Sequence, residues 1–229
     1  LLIKVGKIGN RVKIGPYIKI TPVWVYISEL IRGDGSLNKC DNNYYNLVFV
    51  NKDLGLINYA RNFFLKLGIN RNSVSVYDSS KYPHIKNLVV RSEIFPYIFH
   101  SIFKIPFGRK LKMNFPNFIF ENRKFAINAI RGIFDAEGSV HIKYNNNFCR
   151  RVNICSFDKD YLENIKLLLL RFNIHSYIFE EKRENKKYFY RLIIGGRDCI
   201  LRFKTIIKPK QEDRKKKLEL LVRSYEGRW

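Results

Sequence analysis

A ten-residue phrase occurs twice in this chain, and its spacing constrains the fold more than any other feature. The first copy runs Tyr26-Ile27-Ser28-Glu29-Leu30-Ile31-Arg32-Gly33-Asp34-Gly35, and the second Ala129-Ile130-Arg131-Gly132-Ile133-Phe134-Asp135-Ala136-Glu137-Gly138. Asp34 and Glu137 lie 103 positions apart (137 − 34), close to half of the 229 residues. The likeness continues beyond the phrase. Asp53-Leu54 opens a helical stretch that closes at Gly68-Ile69; Asp158-Lys159 and Asn173-Ile174 bound another, 105 positions on at both ends (158 − 53, 174 − 69). Leu88-Val89-Val90 is matched by Leu192-Ile193-Ile194 at 104 positions (192 − 88). Spacing this steady marks a duplicated unit, so the chain must build one fold twice.

Apolar periodicity, caps and breakers give each unit as helix, two strands, helix, two strands, helix. The first unit is expected near 22–33, 36–41, 44–50, 53–67, 73–78, 86–91 and 92–103. The second is expected near 122–136, 139–144, 149–155, 158–172, 176–181, 187–194 and 196–207. The fold class is therefore α+β: two pseudo-symmetric αββαββα units, each a four-stranded antiparallel sheet with helices on one face. Around them fall a basic N-terminal arm (1–21), repeats over 22–104 and 122–208, a linker (105–121) with Pro106, Gly108 and Pro116, and a basic tail (209–229). Asp53 and Asp158 suit N-caps, Gly68 and Asn173 helix stops, and Gly35 and Gly138 left-handed C-caps.

The charge balance names the class of partner. The 43 Lys and Arg against 20 Asp and Glu leave +23, which opposes compaction and is usually kept for a polyanion, above all nucleic acid. The basic residues are spread along the chain, which favours a folded basic surface over a disordered arm. No basic amphipathic helix stands apart to favour a membrane surface. No apolar run approaches the roughly 18 residues of a membrane span. Lys4 and Lys7 interrupt the N-terminal stretch too early for a secretory signal, and without a starting Met the sequence has the look of a processed chain. Cys40, Cys149, Cys155 and Cys199 form no CxxC pair and no zinc spacing, as expected of reduced thiols in an intracellular protein. An archaeal cytoplasm and an organelle fit equally.

Strand alternation sorts the faces. Val140, Ile142 and Tyr144 are expected inward, leaving Ser139, His141 and Lys143 outward. Val152 and Ile154 point in, leaving Arg151 and Asn153 out; Leu47 and Phe49 point in, leaving Asn46 and Val48 out. Amides and cations of this kind read base edges in a DNA groove, although the same residues also make an ordinary solvated face. The net charge tilts the choice to DNA, with Ser36, Asn38, Asn46, Asn51, Ser139, His141, Lys143, Arg151, Asn153 and Arg191 as candidate contacts. The histidines (His84, His100, His141, His175) have no HNH-type spacing, and Glu180-Glu181-Lys182 is read as strand-end charge. Arg214-Lys215-Lys216-Lys217 is either a solvated helix face or a DNA contact.

A carboxylate at the end of an apolar helix is badly placed, because the macrodipole is negative there. Its appearance in both copies implies a cation. Asp34 and Glu137, with the carbonyls of Gly33 and Ala136, make a hard oxygen site that suits Mg²⁺ rather than zinc. Such a metal polarises a phosphoryl oxygen, lowers the pKa of bound water and stabilises a leaving oxygen.

On these residues the chain resembles the single-chain, two-motif LAGLIDADG homing endonucleases. The resemblance implies that the motif helices join the two sheets into a saddle on the major groove of double-stranded DNA. It implies a monomer that cuts both strands of a long asymmetric target with Mg²⁺, leaving short 3′ overhangs. Mn²⁺ would substitute, and Ca²⁺ would support binding without cleavage. Asp34 and Glu137 would be the metal carboxylates, with Lys52 and Lys210 as catalytic helpers. Asn51 beside Lys52 is matched by Ser156 and Phe157 in the second half, which weakens that helper there. Lys208, Arg109 and Lys110 are further basic candidates. The resemblance also implies an intron- or intein-encoded protein. Two alternatives on the same fold are an RNA maturase acting on its host intron and a cleavage-dead DNA-binding regulator. Glu29 departs from the family's small residue, held by Gly132 in the second copy. A buried Glu there needs Arg32 or Arg131 as a partner, and an Arg32–Asp135 pair across the helices is a further expectation.

Overall fold

The computed structural model describes residues 2–4, 17–40, 44–80, 82–110, 112–143, 149–182 and 188–226. The chain divides into two compact units, Leu1–Lys110 and Leu111–Trp229, and the division falls inside the expected linker. The first unit runs β1 (Leu2–Lys4), β2 (Tyr17–Lys19), α1 (Pro22–Asp34), β3 (Gly35–Cys40), β4 (Tyr44–Asn51), α2 (Leu54–Lys66), β5 (Val74–Asp78), β6 (Lys86–Arg91) and α3 (Ile94–Phe103). Its four-stranded sheet is antiparallel in the order β3-β4-β6-β5. The second unit runs α4 (Asn117–Glu121), α5 (Arg123–Glu137), β7 (Gly138–Lys143), β8 (Cys149–Ser156), α6 (Lys159–Leu170), β9 (Tyr177–Lys182), β10 (Tyr188–Gly195), α7 (Arg197–Ile207) and α8 (Glu212–Arg223). Its sheet repeats the pattern as β7-β8-β10-β9.

Matching local chemistry builds matching elements. Asp53 accepts from Leu56 N–H at 3.1 Å, and Asp158 accepts from Tyr161 N–H at 3.2 Å, so α2 and α6 start on the same kind of cap. Both stretches stop on a left-handed residue, Gly68 (φ +85°) and Asn173 (φ +54°). Leu47, Phe49, Val152 and Ile154 are fully buried, as alternation requires. In the first unit Trp24 of α1 packs edge-on against Phe63 at 4.9 Å and beside Phe95, Phe99 and Phe103. In the second, Phe134 of α5 meets Phe203 of α7 at 5.0 Å.

Several details add to or differ from the expectations. Part of the N-terminal arm is ordered as the antiparallel pair β1–β2. The linker holds the short helix α4, and the basic tail forms α8. Val140 and Ile142, on the edge strand β7, are half-buried rather than core; Tyr144 lies outside the described residues. Gly35 and Gly138 are extended, at φ −124° and −75°, not left-handed. Space explains them instead. A Cβ on Gly35 would sit 2.7 Å from Val48 O, and one on Gly138 2.5 Å from Phe134 O. Each motif helix thus runs straight into the first strand of its sheet.

Candidate metal and nucleic-acid site

Asp34 is the last residue of α1 and Glu137 the last of α5. Asp34 is half-buried and Glu137 exposed. Asn51, at the end of β4, donates from Nδ2 to Asp34 Oδ2 at 2.7 Å, while its Oδ1 accepts from Asp53 N–H at 2.8 Å. One side chain therefore holds the motif carboxylate and the entry to α2 together. In the second unit Ser156 accepts from Asp158 N–H at 3.0 Å, which reproduces the turn.

The carbonyls beside the carboxylates, among them the expected ligands Gly33 and Ala136, accept hydrogen bonds from cations of the chain itself. Lys110 Nζ donates to Ile31 O, Arg32 O and Gly33 O at 2.8, 2.6 and 3.1 Å. Arg214 donates to Asp135 O and, at 2.8 Å, to Ala136 O. Both cations answer the negative end of a helix dipole and its unpaired carbonyls.

Lys52 is exposed, and its neighbour Asn51 is the residue that reaches Asp34. Lys210 has an exposed side chain and contributes its backbone N–H, which donates to Asp135 Oδ2 at 2.8 Å. Gln211 N–H adds a bond to Asp135 Oδ1 at 3.2 Å. Glu29 is met by Arg32, at 2.8 Å with both side chains fully buried. Arg32 also donates to Phe103 O, the end of α3. Arg131 donates to Ile207 O, the end of α7. An arginine from each motif helix thus ties down the final helix of its repeat, from positions one helical turn apart.

The outward faces carry most of the candidate contacts. In the first sheet Asn38 Nδ2 donates to Asn46 Oδ1 at 2.9 Å and to Ser36 Oγ at 3.2 Å. Arg91 stands opposite Asn46 and donates to Ser75 at 2.9 Å. Sequence reasoning missed Arg91, although two-residue alternation from Val89 puts it on this face. In the second sheet Ser139 and His141 hydrogen-bond at 3.0 Å, His141 stands opposite Arg151, and Arg191 pairs with Glu181 at 3.0 Å. Burial pushes the Cys155 thiol up, against the pull of a hydrogen bond from Arg191. The Lys143 side chain lies outside the described residues.

Asn153 departs from its expected exposure. It sits between Ser139 and Ile193 in register and is only 1% exposed, with Oδ1 and Nδ2 both lacking a partner. An unmet buried amide is costly, so Asn153→Leu should raise the stability of the DNA-free protein by about 1 kcal/mol. Urea unfolding checks this; a lower midpoint would show that the amide is satisfied in solution.

Among the described residues no three His, Cys, Asp or Glu side chains gather into a metal cluster. Each unit offers one carboxylate at a helix end. That set does not enclose a zinc ion, but it fits Mg²⁺, which keeps waters and takes remaining ligands from a substrate phosphate.

Two units of one αββαββα design, each ending its first helix on a carboxylate beside a polar sheet face, define a duplicated α+β class. Residues 124–208 match the LAGLIDADG-like domain. That match falls within the second unit and includes its motif helix α5 from Lys124 on. The chain's fold is that of the homing endonuclease I-DmoI, with TM-score 0.62 and 20% identity over 83% of this chain and 98% of that one. I-DmoI is also solved in complex with DNA and Mn, and that chain matches with TM-score 0.61 at 21% identity over 81% of this chain and 96% of its own. Among curated proteins, the chain is 40% identical over 96 residues to a probable translation initiation factor IF-2 of Methanocaldococcus jannaschii, covering 39% of this chain and 8% of that protein. It is 26% identical over 220 residues to the probable IF-2 of Thermococcus kodakarensis, covering 95% of this chain and 17% of that protein. A glutamine–fructose-6-phosphate aminotransferase of M. jannaschii is 31% identical over 115 residues, covering 49% of this chain and 10% of that protein. The chain spans at most 17% of the length of these relatives.

Proposed function

We propose that this chain is a site-specific, divalent-metal-dependent endonuclease of double-stranded DNA. The observation that carries the reading is the carboxylate ending each motif helix beside an outward polar sheet, in a chain of net charge +23. Asp34 and Glu137 would each present a negative oxygen to a Mg²⁺ ion, with a DNA phosphate completing its ligands. The metal supplies an activated water and a stabilised leaving oxygen. Asn51 orients Asp34; Lys110 and Arg214 hold the carbonyls behind the two carboxylates. The sheet faces supply contacts in the major groove, with Asn38, Asn46, His141, Arg151 and Arg191 as base or phosphate partners. Different residues at equivalent positions of the two sheets favour an asymmetric target. Monomeric action and short 3′ overhangs complete the reading.

The chain matches two proteins of unrelated chemistry, an initiation factor and an aminotransferase, over only a small share of each. A segment shared that way carries its own activity rather than its hosts', which supports an intein-encoded insert. The RNA-splicing alternative has no comparable observation on its side.

Incubating the protein with a randomised duplex library and Mg²⁺, then sequencing the ends, tests the reading. Recovery of one long asymmetric site cut on both strands is expected; no specific cutting or binding under Mg²⁺ or Mn²⁺ would overturn it. Binding to the recovered site should weaken steeply with salt, with log K falling linearly in log salt as counterions are released. A flat response would exclude the basic sheet faces as the docking surface.

A further inference from the structure

The motif helices end on cations delivered by different parts of their units. In the first unit the chain after α3 follows the sheet edge, with Gly108 N–H donating to Leu37 O at 2.9 Å, and brings in Lys110. In the second unit the chain leaves α7 through a left-handed Lys208, engages Asp135 with two backbone amides and enters α8, whose Arg214 forks onto Asp135 O and Ala136 O. α8 is firmly seated. Leu218, Leu221 and Val222 are buried, the helix packs on α7 and β7, and just past its end the Arg150 guanidinium lies 4.4 Å over the Tyr225 ring. Lys215, Lys216 and Lys217 are exposed, so Arg214 alone of this basic run turns toward α5.

The carbonyls of Asp135 and Ala136 and the Glu137 carboxylate share the last turn of α5, where helix dipole and side-chain charge have the same sign. A guanidinium fixed across two of those carbonyls offsets that charge and holds the turn in one geometry. We propose that α8 is a working part of the second site. Arg214 is a positioning residue that sets where Glu137 presents to its metal, without acting on Asp34. This rests on the metal-dependent nuclease reading.

The test uses the full chain, a supercoiled plasmid bearing its selected target, Mg²⁺, and the variants Arg214→Ala, Arg214→Gln and Arg214→Lys. The Ala and Gln variants should slow one strand's cleavage by about 10- to 100-fold, as loss of a residue orienting a metal ligand does, so nicked circles accumulate. The Lys variant should restore most of the rate. In metal-free protein, amide exchange at Gly138, which bonds to Phe134 O, should speed up in the Ala and Gln variants while the global urea midpoint stays near wild type. Gln, which keeps donors without the charge, carries the test should Ala fail to fold. Wild-type linearisation without a nicked intermediate, or equal slowing of both strands, would overturn the proposal. A wild-type chain that cuts no duplex overturns the nuclease reading instead, and the exchange measurement still decides whether Arg214 holds the end of α5.

Discussion

Asp34→Asn and Glu137→Gln should each lower double-strand cleavage by more than about 10²-fold, while specific duplex binding in Ca²⁺ persists. The amides keep the size of the carboxylates and lose the charge a hard cation needs. Neither change should harm the fold. In Asp34→Asn the new amide can turn its own carbonyl toward the Asn51 Nδ2 that donates to Asp34 at 2.7 Å in the wild type. Glu137 is exposed at the end of α5, and Gln keeps its size there. Plasmid linearisation, gel-shift binding and urea unfolding of the same preparations give the three readouts. Unimpaired cutting by either variant would remove its carboxylate from the site.

The largest loss of stability is expected from Arg32→Met. Glu29 and Arg32 are 2.8 Å apart with both side chains fully buried, and Arg32 also holds the Phe103 carbonyl. Removing the guanidinium leaves a carboxylate in the core without its cation, a change that costs about 3–5 kcal/mol. Removing both charges is milder, because the desolvation cost of the ions disappears with them. The double variant Glu29→Ala with Arg32→Met should therefore unfold at higher urea than Arg32→Met alone. If the single variant is the more stable of the two, the pair is not what balances Glu29.

The repeat made the fold legible. Offsets near 104 and alternating strands such as Leu47–Phe49 and Val152–Ile154 place nearly every element, since caps and periodicity are local properties. The carboxylates were legible for the same reason, as Asp34 and Glu137 close the two motifs. What surrounds them was not. Nothing in sequence distinguishes Arg214 from Lys215 to Lys217, because only the seating of α8 decides which side chain turns inward. Asn51 and Lys52 are adjacent, and strand direction alone sends the first to Asp34 and the second to solvent. Alternation put Asn153 on the outward face but could not show that it is buried there. Gly35 and Gly138 were recognisable as required glycines for the wrong reason, since crowding rather than backbone sign excludes a side chain there.

The absence of any loop between α1 and β3, and between α5 and β7, has a consequence for how such a protein can change its target. Inserting a single residue after Asp34 or Glu137 would send every following side chain of that strand to the opposite face. On the proposed nuclease reading, the cutting position and the reading frame along the DNA would therefore be geared together in each half. New specificity has to come from exchanging side chains on the existing strands, with the distance from the scissile bond to the first base read kept as a fixed property of the scaffold.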